Sequence, residues 1–387
     1  MGFVFAIPAA PSGGKTTYRL AASIPTGARY ILVRALYEDG ESAPKVGLIP
    51  DGVDRTVTLA ADKYLVPSGK QTTVFDASNR KLFVARHRIP LVTSPDLPIA
   101  VFRCEVDGTS CFGFEPSAGT SVSSAEIGMA VDAAGKTLYV TSRSTDGQRP
   151  PVVFRCALDG TSCSPTVLPF VRLADAPQVA IDSPRGKVIF VAASGPLLVQ
   201  RCGLDLTGCE TIDIFGLAGQ TPPSNGSGSR PRISVDETHG RVHIADSDGT
   251  FVCNATFTTC SLRKDVGSPL SLIHDPSTGN IALLKAGTLE RCAGDLTSCN
   301  SVPLATQNLP SMAMDPLTHK LHVVVTDGEG THIARCNHDA GPCEMRFVAK
   351  RKASTSETIF DPMTKRLLTL TQTTTGFVMN IAGPWPP

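Results

Sequence analysis

The side chains able to do chemistry fall into three sets: twelve cysteines, eight histidines and a series of aspartates that each close an apolar run. The cysteines form six pairs of one spacing, Cys-x6-Cys. They are Cys104/Cys111, Cys156/Cys163, Cys202/Cys209, Cys253/Cys260, Cys292/Cys299 and Cys336/Cys343, with none left over. Zinc centres favour two to four residues between cysteines and need a second pair nearby. Redox centres use Cys-x-x-Cys, once. A spacing of six on six separate units fits neither, so the pairs read as structural disulfides and imply an oxidising compartment.

The histidines are His87, His239, His243, His274, His319, His322, His332 and His338. A central metal or base site needs several polar groups at matching inner positions. Those positions hold Phe75, Val131, Ile181, Val235, His274, Met314 and Phe360, which is mostly packing. His274 therefore reads as a hydrogen-bonded core residue. No nucleophile elbow, metal-binding histidine pair or phosphate loop stands out, and Gly13-Gly14-Lys15-Thr16 lacks the spacing of a P-loop. No metal, cofactor or catalytic residue is expected.

The elements that position these groups repeat. Each cysteine pair brackets a segment such as Glu-Val-Asp-Gly-Thr-Ser, a hairpin signal between apolar strands. With a four-residue loop at 106–109, Cys104 and Cys111 become opposed partners at a non-hydrogen-bonded site, where Cα atoms come close. The second marker is an apolar run ending in Asp76, Asp132, Asp182, Asp236, Asp275, Asp315 or Asp361, then a turn and another apolar run. Aspartate there can accept bonds from backbone groups two residues on. One unit is thus strand A, Asp turn, strand B, loop, strand C, Cys hairpin, strand D. It recurs every 39 to 56 residues by the Asp spacing, the signature of propeller blades.

The predicted fold is all-β, a seven-bladed propeller of four-stranded antiparallel blades over 51–387. The last unit ends without a Cys hairpin, so Arg55–Ala60 is expected to supply its fourth strand and close the ring; without that pairing there are six blades. Residues 1–50 form a separate β segment. Tyr30–Tyr37 and the turn after it resemble the last strands of a fibronectin type III-like module. "Ala-Val-Asp … Leu-Tyr-Val … Val-Phe-Arg-Cys-x-x-Asp-Gly" resembles NHL and YWTD propeller repeats, although the Trp of YWTD is missing. That likeness implies a fold and no function.

At 387 residues the chain exceeds one ordinary core, and 34 glycines with 30 prolines suit many short strands and turns. A net charge of +1 gives no reason to expect nucleic acid, and no apolar stretch is long enough to span a membrane. Met1–Ile7 lacks the basic region of a signal peptide, so a secreted, cell-surface or periplasmic product would carry its leader elsewhere. The sequons at Asn225 and Asn254 read as chance matches.

In a propeller the A–B and C–D turns share one face and the B–C and D–A loops the other. The first face is scaffold here. The second carries basic candidates for binding: Arg86, His87, Arg88, Arg143, Arg149, Arg230 and Arg232. Arg103, Arg155, Arg201, Arg291 and Arg335 precede first cysteines and are expected to pair with the turn aspartates or a neighbouring blade. The function expected is an extracytoplasmic binding or adhesion module for a protein or polysaccharide, anionic if those arginines make the contact. Two other classes compete. A hydrolase or lyase with a metal in the central channel would be revealed by a bound ion, and a surface-layer or filament component by particle size.

Overall fold

The computed structural model describes residues 30–33, 36–37, 40–41, 45–48, 55–60, 72–87, 99–106, 110–116, 127–143, 150–170, 176–193, 196–222, 231–267, 269–304, 311–326, 331–337, 343–349, 356–373 and 376–382. The chain divides into two compact units, Met1–Asp51 and Gly52–Pro387. In the first, β1 (Tyr30–Val33) pairs with β4 (Lys45–Leu48), and β2 (Leu36–Tyr37) with β3 (Gly40–Glu41), both antiparallel. Among the described residues no helix is long and apolar enough to cross a membrane.

The second unit opens with β5 (Arg55–Ala60) and continues as a propeller. Blade 1 is β6 (Thr72–Asp76), β7 (Lys81–His87), β8 (Ile99–Glu105) and β9 (Cys111–Phe114). Blade 2 is β10 (Gly128–Asp132), β11 (Thr137–Ser142), β12 (Val152–Ala157) and β13 (Cys163–Val167). Blade 3 is β14 (Gln178–Asp182), β15 (Lys187–Ala193), β16 (Leu197–Gly203) and β17 (Glu210–Asp213), followed by the short helix α1 (Ile214–Leu217). Blade 4 is β18 (Arg232–Asp236), β19 (Arg241–Asp246), β20 (Gly249–Asn254) and β21 (Cys260–Arg263). Blade 5 is β22 (Ser271–His274), β23 (Ile281–Lys285), β24 (Thr288–Cys292) and β25 (Cys299–Pro303). Blade 6 is β26 (Met312–Met314), β27 (Leu321–Thr326), β28 (Thr331–Cys336) and β29 (Glu344–Ala349).

The count of seven blades is corrected to six. A blade of this repeat is a meander of four consecutive strands closed by its own disulfide hairpin, and six sheets meet that description. The remaining four-stranded sheet is composite. It runs β30 (Ser356–Asp361), β31 (Arg366–Thr373), β32 (Gly376–Ala382) and then β5 from the start of the unit. Its fourth strand is not the next one in the chain: β32 pairs with β5, with no disulfide joining them, in a register that slips between Phe377 and Val378. This sheet stands between blade 6 and blade 1, and β30 lies beside both β26 and β6. Pairing its outer edge removes a row of open backbone groups.

In blades 1, 2 and 4 burial peaks in the middle strands and falls off toward strand D. The B strand β11 is buried at all six positions, because both of its faces meet neighbouring sheets, whereas the D strands β9 and β13 are largely exposed. The core accordingly lies between blades. Phe83, Ile99 and Val101 of blade 1 pack on Leu138, Val140 and Phe154 of blade 2, and Ile189 and Val199 of blade 3 on Val242 and Phe251 of blade 4. Each fully buried side chain of this kind stabilises by about 1.5–3 kcal/mol relative to exposure.

Both repeated turns have one construction. The aspartate closing strand A is buried and its carboxylate accepts amide hydrogens of its own turn: Ser78 and Asn79 on Asp76, Gly135 on Asp132, Leu317 on Asp315, Met363 on Asp361. The residue four past each aspartate (Arg80, Lys136, Gly186, Gly240, Gly279, His319, Lys365) turns into the left-handed region, with φ between 51° and 70°. Glycine takes that conformation without strain, and the other four are held there by the turn. In the hairpins, Asp159, Asp205 and Asp295 each accept bonds from the amide and hydroxyl of the threonine two residues on.

All six expected disulfides form, with Cα atoms 4.0–4.1 Å apart, and no cysteine is free. Four of them join opposed partners of the C–D ladder: Cys104–Cys111, Cys156–Cys163, Cys253–Cys260 and Cys292–Cys299. In the other two, Cys202–Cys209 and Cys336–Cys343, the pair continues the C–D register one step beyond the ladder. Cys209 and Cys343 each stand one residue before strand D, whose ladder begins at Arg201↔Glu210 and Arg335↔Glu344. The cause in blade 3 is local. Gly208 takes φ 57° just before Cys209, and the Gly203 amide bonds to the Thr207 carbonyl. In blades 1, 2, 4 and 5 the corresponding amide bonds to the residue directly before the second cysteine. In blade 6 the hairpin residues 338–342 lie outside the described residues.

Candidate functional site

The Asp-turn face is knit from blade to blade. The hairpin amides of Leu158 and Ala255 bond to the carbonyls of Lys136 and Gly240 in the Asp turns, so the two kinds of turn share this face. Arg103 and Arg155, each just before a first cysteine, donate to the carbonyls of Leu158 and Leu204 in the next blade's hairpin. Arg201 instead pairs with Glu210 on its own hairpin. The turn aspartates of these hairpins are bonded by their threonines.

One place on this face departs from the pattern. In the Asp236 turn, Oδ2 accepts both Nε and Nη2 of Arg241, at 3.1 and 2.9 Å. Oδ1 accepts the amide of His239 at 2.8 Å and lies 3.0 Å from His239 Nδ1. The ring of His274, from strand β22 of the next blade, brings Nε2 to 3.0 Å from the same oxygen. Burial works to raise the Asp236 pKa, but the His239 amide, Arg241 and the His239 ring together hold it below the usual carboxylate value. Burial lowers that of His274. Beside the cluster opens a cleft of about 320 Å³ lined by Val235, Glu237, Thr238, Ile273, His274 and Pro276. A second cleft of about 380 Å³, with Asp275, Asn280, Arg291, Asn300 and His319 in its wall, lies between blades 5 and 6.

Sequence reasoning singled out His274 but read it as core. It did not join it to Asp236 or His239. The available signal was that histidine stands where the other units carry Phe75, Val131, Ile181, Val235, Met314 and Phe360.

The basic candidates belong to the opposite ends of the strands. Arg86 is fully buried near the end of β7, and desolvation lowers its pKa. Its guanidinium therefore faces the interior rather than solvent. His87 is the last residue of β7, and its side chain lies outside the described residues, as do Arg88, Arg149 and Arg230. Arg143 is half-buried just after β11, and Arg232 opens β18 with Nε donating to the Leu270 carbonyl at 3.1 Å. The sequon at Asn254 is occupied by structure: its side chain bonds the Thr258 amide and hydroxyl and the Thr259 amide. Asn225 lies outside the described residues.

The two faces differ in their connections. On the Asp-turn side the aspartate–turn–strand unit and the Cys-x6-Cys hairpin keep one length throughout. On the other side the B–C loops run from two residues (286–287) to nine (143–151) and eleven (88–98), and one D–A connection takes eighteen (214–231).

No protein-family model matches the chain, and no curated relative matches it. Among solved structures, the GH74 xyloglucanase from Xanthomonas campestris is similar in fold, with a TM-score of 0.57 at 13% identity. The match covers 86% of this chain and 54% of that one, so the chain spans about half the length of its structural neighbour. At that identity the likeness shows the propeller fold alone. The NHL, YWTD and fibronectin type III resemblances gain no support beyond the fold. Six disulfides point to an oxidising, extracellular environment.

Proposed function

We propose that this chain is an extracytoplasmic binding module. In this reading the disulfide face is scaffold and the variable-loop face meets the partner. The observation that carries it is the contrast in connections: one face repeats a single turn and a single hairpin, with Asp159, Asp205 and Asp295 bonded within their own hairpins, while the other varies from two to eighteen residues. Variation confined to one side of a rigid scaffold is how recognition loops are built. The two long B–C loops, 88–98 and 143–151, belong to the adjacent blades 1 and 2 and carry Arg88, Arg143 and Arg149. His87 at the root of the first, and Arg230 and Arg232 at the end of the 214–231 connection, extend the basic set. Buried Arg86 supports the root of the first loop.

This charge favours an anionic partner, and the similarly folded protein being a xyloglucanase makes polysaccharide the first class to test. Affinity electrophoresis in gels cast with polygalacturonate, heparin or neutral xyloglucan is the experiment. Retention in the acidic gels that fades with added salt supports the reading. Migration unchanged in every gel removes polysaccharide as the partner.

A further inference from the structure

We propose that Asp236 Oδ1, His239 Nδ1 and His274 Nε2 form a binding site for a divalent transition metal ion of the zinc type, on the Asp-turn face between blades 4 and 5. The inference is independent of the binding role of the loop face.

Three observations converge on it. First, the three ligand atoms lie within 4.8 Å of one another, and both imidazole nitrogens stand 3.0 Å from the same carboxylate oxygen. A tetrahedral zinc with bonds of about 2.0–2.1 Å sets its ligands roughly 3.3 Å apart, so a few tenths of an ångström of outward movement makes room. The His239 side chain, 39% exposed, has the freedom to supply it.

Second, His274 is a polar side chain without a hydrogen bond where it points. Its side chain is 5% exposed, and Nε2 is buried and makes no hydrogen bond, although it sits 3.0 Å from Asp236 Oδ1. A buried polar atom in that state costs free energy. A metal ion between the ring and the carboxylate would use its lone pair. Elsewhere the position before the turn aspartate is apolar, so the repeat itself does not require a histidine there.

Third, the outer shell is in place. Arg241 grips Oδ2 with two donors and also bonds the Gly279 carbonyl at 2.9 Å, which fixes the carboxylate plane and leaves Oδ1 toward the rings. Such partners orient metal ligands. The guanidinium charge works against a cation, but it acts from the far oxygen. Three protein ligands and an adjoining cleft leave a fourth position for water or an anionic ligand atom. Two imidazoles and one carboxylate suit zinc, cobalt or nickel better than calcium or magnesium, which take oxygen ligands.

The test uses the untagged, disulfide-intact chain, stripped with a chelator and dialysed against Zn²⁺, with metal counted by mass spectrometry. One equivalent per chain is expected, and a Co²⁺ spectrum of tetrahedral type at the same stoichiometry. His239→Ala should weaken binding at least tenfold. His274→Phe installs the residue found at Phe75 and Phe360, so it should fold normally and lose the equivalent. Glu237→Gln, beside the cleft but outside the ligand set, should retain it. No stoichiometric ion in the wild type, or an equivalent that survives in the His239→Ala/His274→Phe double variant, overturns the assignment.

Discussion

His243 and Gly294 are joined across a blade boundary: the buried imidazole brings Nε2 to 2.6 Å from the Gly294 carbonyl in the next blade's hairpin. Tyr139 holds the matching position in blade 2, seven residues past its turn aspartate, and its hydroxyl donates to the equivalent carbonyl of Leu204. Position and bond repeat while the side chain changes. For His243 the bond fixes Nε2 as the protonated nitrogen. Burial then lowers its pKa to about 4, so the ring stays neutral in the fold.

That makes His243 a source of acid sensitivity. Unfolded chains protonate it below about 6.5, the fold only below about 4, so its contribution is lost as pH falls through that window, by on the order of 3 kcal/mol. Asp246, three residues on, has the opposite sign. Burial raises its carboxyl to about 6 from 3.8, so its contribution is full below 3.8 and lost as pH rises through 6. In the wild type the two slopes offset each other between pH 4 and 6. Asp246→Asn should stabilise at pH 7 and expose a decline on acidification. His243→Gln, which keeps a donor for Gly294, should show stability falling from pH 4 to 6 instead. Urea midpoints against pH measure both, and parallel profiles for the two variants would refute the assignment.

Gly294 is glycine because its neighbour needs the space. A Cβ there would stand 2.1 Å from the Gly279 carbonyl oxygen and 2.4 Å from Arg241 Cζ. Gly294→Ala should cost about 1–3 kcal/mol, the range for overpacking, and push Arg241 off Asp236. Gly186→Ala, with nothing within 4 Å of the added carbon, is the comparison and should cost only its backbone strain.

The composite sheet is tied to blade 1 by Arg80, whose Nη2 lies 2.9 Å from Asp361 Oδ2. Arg80 is 40% exposed and Asp361 is buried, so the pair is asymmetric. Arg80→Ala should cost less than about 1 kcal/mol. Asp361→Ala also strips the acceptor from the Met363 amide and the Thr364 hydroxyl and should cost about 2–4 kcal/mol. Differential thermal melts distinguish the two; equal losses would mean that the turn bonds contribute little.

Each hairpin disulfide closes a short loop, worth roughly 2–3 kcal/mol in the chain-entropy model. Alkylation of the denatured chain should find no free thiol before reduction and twelve after it. Cys292→Ala/Cys299→Ala should lower the unfolding midpoint while the other five bridges stay oxidised.

The sequence made the blades legible because two markers recur at fixed local spacing, the Asp turn and the Cys hairpin, and each sets its own conformation. Spacing alone did not separate Cys209 and Cys343 from the other second cysteines, although both fall just short of their strands. For Cys209 the difference lies in Gly208, which turns the hairpin where blades 1, 2, 4 and 5 carry serine or threonine. The composite sheet was legible in its strands, but its lack of a hairpin sets it apart from the six blades. The arginines before the cysteines were read as reaching a turn aspartate or a neighbouring blade, and Arg103 and Arg155 take the neighbouring blade. Arg86 was misjudged as a loop cation because β7 runs on to His87, past the apolar run at Leu82–Val84, and carries it into the core. The Asp236–His239–His274 cluster was missed for a different reason. His274 comes 38 residues after Asp236, and the contact arises only when neighbouring blades pack. Spacing within one repeat does not encode it.

If the loop face is the binding face, its cations set the affinity for an anionic partner. The direct measurement is the affinity of an acidic polysaccharide for the wild type and two charge variants that leave the fold intact. One variant, Arg88→Ser/Arg149→Ser/Arg230→Ser, discharges the variable loops. The other, Lys136→Ser/Lys320→Ser/Lys365→Ser, removes the same charge from the Asp-turn face. At least a tenfold loss is expected for the first and little change for the second. Equal losses, or a larger loss from the second, would contradict it.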